Sequence, residues 1–348
     1  MPPRASSTRT RQPGASHASS GTSPTSSRSA PATSEVTAGS PHAGSPQTGD
    51  PNAGDPNAGD SNAGGLEISR GLGATQLSAI ASLEAACGAV DGGRLKLEYG
   101  TLRTRSPELA NDFLWRTADG EIAGFCGIYQ NIPTEVEICG MVHPRHRRRH
   151  IATRLLDAAM DELRSRGVGR VLLIVDRSCA AGVGFAAGRG GTLQSSEHRM
   201  RQEHAPELQG AHEQMTLRPA VSDDLDFVRD CTARGFGLPT EAVDRDDWEE
   251  RVRQTIVIET AGTRVGVVRV DRDEVAHDAG IYGFVIVPEL QGRGYGRGAL
   301  STITRAVRSE GIESVHLEVL VDNPAALHLY ESCGFVSTGV EDYYLVER

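Results

Sequence analysis

The run Gln291-Gly292-Arg293-Gly294-Tyr295-Gly296-Arg297 follows a β-type stretch ending at Val287-Pro288 and opens a helical one. Glycines at such a junction let the backbone approach a ligand closely. The free N–H groups and the positive end of the helix dipole then face outward together. A pyrophosphate is the natural occupant of this cradle; a Gly-rich turn before an ordinary helix is the alternative the run alone leaves open. Two other phosphate motifs fail. A Walker loop needs Gly-Lys-Ser/Thr, whereas the single lysine of the chain, Lys96, lies elsewhere. A dinucleotide fingerprint sets its glycines in the first strand–helix turn of a βαβ unit, not after an antiparallel meander. Further on, Glu318 interrupts His316-Leu-Glu-Val-Leu-Val321, a strand otherwise suited to burial. Burial favours the protonated form of a carboxylate, which suits a base working near neutral pH. A Glu that merely binds substrate on the cleft side is the other reading.

The elements that must position these residues come in a series that runs twice. In the second half the pattern predicts strands over Met215–Arg218, Thr255–Glu259, Thr263–Val270, Gly280–Val287 and Ser314–Val321, with extended character over Phe335–Val346. It predicts helices over Asp223–Arg234, Asp247–Gln254, Gly296–Glu310 and Pro324–Ser332. Asn323 before Pro324, and Gly334 just past the end, are start and stop signals for the last of these. The first half mirrors the series. Strands are expected over Asp112–Arg116, Ile122–Ile128, Glu135–Val142 and Arg170–Val175, and helices over Ile151–Arg166 and Ala180–Ala187. Each half therefore reads as a mixed α+β unit, an antiparallel meander followed by a strand–helix–strand–helix passage.

Composition bounds the rest. A chain of 348 residues has room for two domains and a tail. Residues 1–65 are dominated by Ser, Thr, Pro, Gly and Ala, with a short Asp-Pro-Asn-Ala-Gly repeat from Asp50 and almost no large apolar side chain, and cannot bury enough apolar surface to offset ordering entropy. The expected division is a disordered tail over 1–65, a first domain over 66–205, a linker over 206–213 and a second domain over 214–348. No apolar run is long enough to span a bilayer and the N-terminus lacks a signal-peptide core, so a cytoplasmic protein is expected. Six dispersed cysteines without a Cys-x-x-Cys pair argue against a structural zinc and a disulfide framework. Residues 214–348 hold 14 basic and 24 acidic side chains and carry the whole formal charge of −10. Such a domain repels nucleic acid and anionic membranes and attracts cations. The acids Glu241, Asp244, Asp246, Asp247, Glu249 and Glu250 cluster in one segment and point to a cationic partner, unless they form only the solvated face of a helix.

Val287-Pro288-x-x-Gln291-x-x-Gly294-x-Gly296, followed by Asn323-x-x-Ala326-x-x-Leu329-Tyr330-x-x-x-Gly334-Phe335, resembles the Gcn5-related N-acetyltransferase superfamily. The resemblance implies a central sheet splayed in the middle, with acetyl-CoA as acyl donor in the cleft and no metal. The pyrophosphate would lie on the backbone of Gln291, Gly292, Arg293, Gly294, Tyr295, Gly296 and Arg297. The pantetheine would run along Phe284, Val285 and Ile286, and Asn323 would reach it from the next helix. Tyr330 stands where the family's general acid stands, although it also reads as a core aromatic beside Ala326 and Leu327. Glu318 with Tyr330 resembles the base and acid pair of bacterial ribosomal-protein alanine acetyltransferases. The implied reaction is direct attack by a primary amine, with a small-molecule amine or peptide N-terminus, cationic by the charge argument, as acceptor.

Laid on the first half, the template meets Val142-His-Pro144 and Arg147-Arg-Arg-His150-Ile-Ala152, with His150 for the key glycine. Leu173, Ser178 and Phe185 fall opposite Glu318, Asn323 and Tyr330, so this half is expected to be degenerate. The cluster Arg145, Arg147, Arg148 and Arg149 reads either as a residual phosphate holder or as a solvated helix start. A tandem pair with one intact and one eroded half is similar to mycothiol synthase, which acetylates a cysteinyl pseudodisaccharide. A non-catalytic CoA-sensing module is the remaining alternative.

Overall fold

A computed structural model describes residues 64–132, 135–204, 215–237, 249 and 251–347. The expected tail lies outside them apart from Gly64 and Gly65, and so does the expected linker. The first half comprises β1 (Gly65–Ser69), α1 (Ala74–Asp91), α2 (Tyr99–Thr104), β2 (Asp112–Arg116), β3 (Ile122–Ile132), β4 (Glu135–Val142), α3 (Ile151–Ser165), β5 (Arg170–Asp176), α4 (Ala180–Gly188) and β6 (Thr192–Gln202). The second comprises β7 (Met215–Pro219), α5 (Leu225–Phe236), β8 (Ile256–Thr260), β9 (Thr263–Asp273), β10 (Asp278–Ile286), α6 (Tyr295–Ser309), β11 (Ser314–Leu320), α7 (Pro324–Ser332) and β12 (Phe335–Val346). Among the described residues no helix is long and apolar enough to cross a membrane.

Local chemistry fixes the helices that matter for the site. In α6 the buried residues Ala299, Leu300, Ile303 and Val307 fall on one face at helical spacing, and this face covers the sheet. Helix α7 starts where Asn323 Oδ1 accepts the Ala326 N–H at 3.1 Å, with Pro324 in its first turn. It ends at Gly334, where φ is +81° and a Cβ would stand 1.9 Å from the His204 carbonyl oxygen. Glycine is the residue that fits there.

Among the described residues twelve strands form one sheet, in the order β1-β2-β3-β4-β5-β12-β6-β11-β10-β9-β8-β7. Every pairing is antiparallel except β4 with β5 and β10 with β11. Helices cover both faces of each half. In the first half α1 and α2 pack over Phe125 and Leu114, and α3 and α4 over Phe113 and Ile138. In the second half α5 packs over Val267 and Val285, and α6 and α7 over Ile281 and Leu317.

The two halves exchange their last strands, which the sequence reading did not anticipate. β12 closes the chain but lies between β5 and β6, while β6 of the first half pairs with β11 of the second. The exchange reaches the cores: fully buried Met200 on β6 packs among second-half residues, and Val346 on β12 packs among first-half residues. Each such side chain contributes roughly 1.5–3 kcal/mol by burial.

Candidate active site

The parallel ladder of β10 with β11 runs from Asp278↔Ser314 to Ile281↔Leu317 and stops there. Beyond it β10 stays paired to β9 through Val285↔Val267 and Ile286↔Gly266, after a bulge between Tyr282 and Val285. Gly283 takes the left-handed backbone of that bulge, with φ +57°. The sheet is thus split beside Phe284, Val285 and Ile286, with Glu318 one residue past the last shared rung. Phe284 and Ile286 pack on the α6/α7 side and Val285 on the α5 side. Helix α5 lies close against this strand, since a Cβ on Gly235 would meet Val285 Cγ1 at 2.3 Å.

At the mouth of the split, Gly292 (φ +72°) and Gly294 (φ +84°) turn the exposed loop into α6. Gln291 Nε2 donates to the Ile286 carbonyl at 2.9 Å and ties the loop to the end of β10. Gly296 lies so close to α7 that a Cβ there would stand 2.9 Å from Leu329. Left-handed glycines, an anchored loop and a helix start at the open end of a split sheet fit a bound pyrophosphate. Arg293 and Arg297 are exposed beside the loop.

Tyr330 is buried in the α6/α7 core and meets the Phe335 ring edge-on at 6.2 Å. Its hydroxyl has no hydrogen-bond partner among the described residues, and burial pushes the phenol up to about 12. The ring of Tyr330 is thus part of the core, and its hydroxyl is uncommitted. Asn323 caps α7, so its carboxamide oxygen is already engaged. Glu318 projects from the opposite face of β11, since Val315, Leu317 and Val319 take the buried side. The structure therefore sets Glu318 and Tyr330 on opposite faces, with the split as the opening between them.

Glu318 is not an isolated carboxylate. Its Oε2 accepts from Lys96 Nζ at 2.6 Å, and both side chains are largely buried. Lys96 comes from the irregular segment between α1 and α2 and also donates to the Tyr343 hydroxyl at 2.9 Å. Tyr343 in turn donates to Glu197 at 2.7 Å, and Glu137 stands 3.9 Å from the ammonium. These partners sit on β4, β6, β11 and β12. At ~4.8 Å per strand, β4 and β11 would lie roughly 19 Å apart in a flat sheet, so the sheet must curl around Lys96. Burial works to lower the Lys96 pKa, but Glu318, Tyr343, Glu137 and Glu197 overrule it and hold it well above the ordinary value. Desolvation pushes Glu137 up to about 7 against the pull of Lys96, and raises Glu98 and Glu197 as well. In the sequence Lys96 counts only against a Walker loop. Its being the sole lysine among 36 basic residues was the available signal.

The pattern of the Acetyltransferase (GNAT) family matches twice, over residues 85–190 and 225–335. The chain belongs to the GNAT acetyltransferase family. A mycothiol acetyltransferase of Thermobispora bispora is 30% identical over 287 residues, covering 76% of this chain and 94% of the relative. A spermidine N(1)-acetyltransferase of Vibrio cholerae is 29% identical over 154 residues, covering 39% of this chain and 87% of the relative. Among solved structures, a GCN5-related N-acetyltransferase from Sphaerobacter thermophilus superposes with a TM-score of 0.63 at 18% identity, covering 80% of this chain and 95% of that one. A tandem GNAT protein from the clavulanic acid biosynthesis pathway gives 0.58 at 17% identity, covering 81% and 98%. The chain is thus a tandem GNAT protein and an acetyl-transferring enzyme, and acetyl-CoA is the donor used by its family.

The first GNAT half keeps the backbone of the cradle with other side chains on it. Arg148 (φ +62°) and His150 (φ +60°) hold the left-handed positions of Gly292 and Gly294, and Arg147 Nε donates to Val142 as Gln291 does to Ile286. Arg147 also makes a double ion pair with Asp91, at 2.7 and 2.5 Å, so it is engaged structurally, while Arg145, Arg148 and Arg149 are exposed. β4 runs against β3 from Ile138 to Val142 without the bulge seen in β10. One register correction follows from ladders and caps. The last shared rung is Ile138↔Leu173, so Ile174, not Leu173, matches Glu318. Cys179, not Ser178, caps α4 as Asn323 caps α7, and fully buried Ala186, not Phe185, matches Tyr330. In neither register does a Glu stand opposite Glu318 or a Tyr opposite Tyr330. Among the described residues no group of His, Cys, Asp and Glu is arranged to hold a metal ion.

Proposed function

We propose that the chain is a cytoplasmic acetyl-CoA-dependent N-acetyltransferase that acetylates a cationic primary amine, a small molecule or a peptide N-terminus, at the split of the second half. The observation that carries this reading is the glycine loop at the mouth of the β10/β11 split, with Glu318 at the point where the strands part. Acetyl-CoA supplies the activated acetyl group. The backbone of Gln291 to Arg297 would hold its pyrophosphate, β10 from Phe284 to Ile286 would align its pantetheine, and the amide of Asn323 would steady it. Glu318 takes the proton of the acceptor's ammonium, the amine nitrogen bonds to the acetyl carbon as the C–S bond breaks, and Tyr330 protonates the leaving thiolate. A phenol pushed up to about 12 remains protonated until the thiolate forms.

The cationic class rests on the carboxylates Glu98, Glu137, Glu197 and Glu318 gathered around the single lysine. Of the acidic run first invoked for this role, only Glu249 is among the described residues. The spermidine-acetylating relative supports the class. Coverage of both halves by the mycothiol acetyltransferase favours a second acceptor, a cysteinyl pseudodisaccharide, whose amine is likewise cationic. Division into domains at 66–205 and 214–348 belongs to the same reading. The test is thiol release from acetyl-CoA with spermidine, kanamycin, an alanyl peptide and cysteinyl-glucosaminyl-inositol, each product weighed for one added acetyl group. Release with none of the four would remove the amine assignment.

A further inference from the structure

We propose that Lys96 is a specificity-determining residue of the acetyl-transfer site: it holds the acceptor's place on Glu318, and an acceptor gains that place by bringing a positive charge while Lys96 passes to Glu137. This rests on the amine reading above and deepens it. Three observations carry it. The primary ammonium of Lys96 lies 2.6 Å from Glu318, next to the end of the shared ladder, where a reacting ammonium would have to sit. Glu137 is 3.9 Å from the same ammonium, with only part of its side chain exposed and no hydrogen bond to it among the described residues. The remaining carboxylates near Lys96 are engaged: Glu197 by Tyr343, Glu98 by Thr101, and Glu341 by Arg199.

A neutral acceptor that displaced Lys96 would leave Glu318 without a counter-charge in a largely buried site, whereas an ammonium replaces one cation by another. Four rotatable carbons in an irregular segment allow the Lys96 head to cross the short gap to Glu137, which then satisfies both. The first half is thereby part of the acceptor site.

The experiment compares wild type, Lys96→Met and Glu137→Gln with the best cationic amine of the panel and with aniline, which is uncharged at neutral pH. Lys96→Met removes the competitor, so KM for the cationic amine should fall by about tenfold, with kcat moving less, and the preference over aniline should widen. Glu137→Gln removes the receiving site, so KM should rise by about the same factor. Unchanged acetyl-CoA affinity shows that each variant is folded. Equal losses of kcat for both amines in Lys96→Met, with KM unmoved, would overturn the proposal and leave Lys96 as a structural ion pair. If wild type acetylates no amine, the function reading fails and this proposal with it.

Discussion

Lys96 and Glu318 lie 222 positions apart in the chain and meet at 2.6 Å, joining the irregular segment before α2 to the strand that flanks the split. That contact ties side chains of the two halves together. The strand exchange does the same for the backbone, because β12 pairs with both strands of the first half that surround it.

The exchange predicts that residues 66–205 and 214–348 are unstable when expressed singly. The first would lose β12 from between β5 and β6, and the second would bare β11. Unpaired central edges of this kind aggregate. Co-expression should return a soluble pair that elutes as the intact chain does. Two separately soluble, cooperatively melting halves would show that the exchange is dispensable.

Much of this was legible in the sequence. The bounds of β2, β4, α7 and β12 coincide with those expected, and cap residues mark those of α7. Helix α1 was missed because ATQLSAIASLEAACGAVD is rich in small residues with little contrast between its faces. β6 was missed because TLQSSEHRMRQ is polar on both faces over most of its length, although it is central in the sheet. Its polar face lines the cluster around Lys96 and Tyr343. The glycine loop, Glu318 and Tyr330 could be picked out locally. The partnership of Glu318 with Lys96 and Glu137 could not, since it depends on the curl of a sheet shared by both halves.

Gly294→Glu should abolish acetyl-CoA binding measured by calorimetry. It forces a side chain into a left-handed backbone and sets a negative charge where the pyrophosphate would lie. His150→Glu, at the matching position of the first half, should leave turnover intact. Equal loss from both changes would show that the first half is a working cofactor site.

Tyr330→Phe should lower kcat by about 10²-fold or more while acetyl-CoA affinity stays the same, because the ring packing on Phe335 is kept and the proton donor is lost. A matching drop in affinity would assign Tyr330 to packing alone.

Glu137 gives a pH signature in stability. Its carboxyl is raised from the ordinary 4.5 to about 7, chiefly by desolvation, with Lys96 opposing and Glu318, Glu197 and Glu98 adding repulsion. Between those values the folded protein holds a proton that the unfolded chain has lost. Stability therefore declines as pH rises through this window, and the full penalty is present above about 7. Glu137→Gln should accordingly melt higher than wild type at pH 8, by on the order of 2 kcal/mol, and nearly equally at pH 4.5. A variant less stable at pH 8 would mean that the ionised carboxylate is a net stabiliser.

The most direct test of the account is a competition between the acceptor and Lys96, read by the nitrogen resonance of the single lysine in protein labelled at that residue. Saturation with the best cationic amine should shift the Lys96 ammonium signal in wild type, and Glu137→Gln should blunt the shift. Turnover that proceeds with the Lys96 signal unmoved at saturation would contradict a site shared between the two halves.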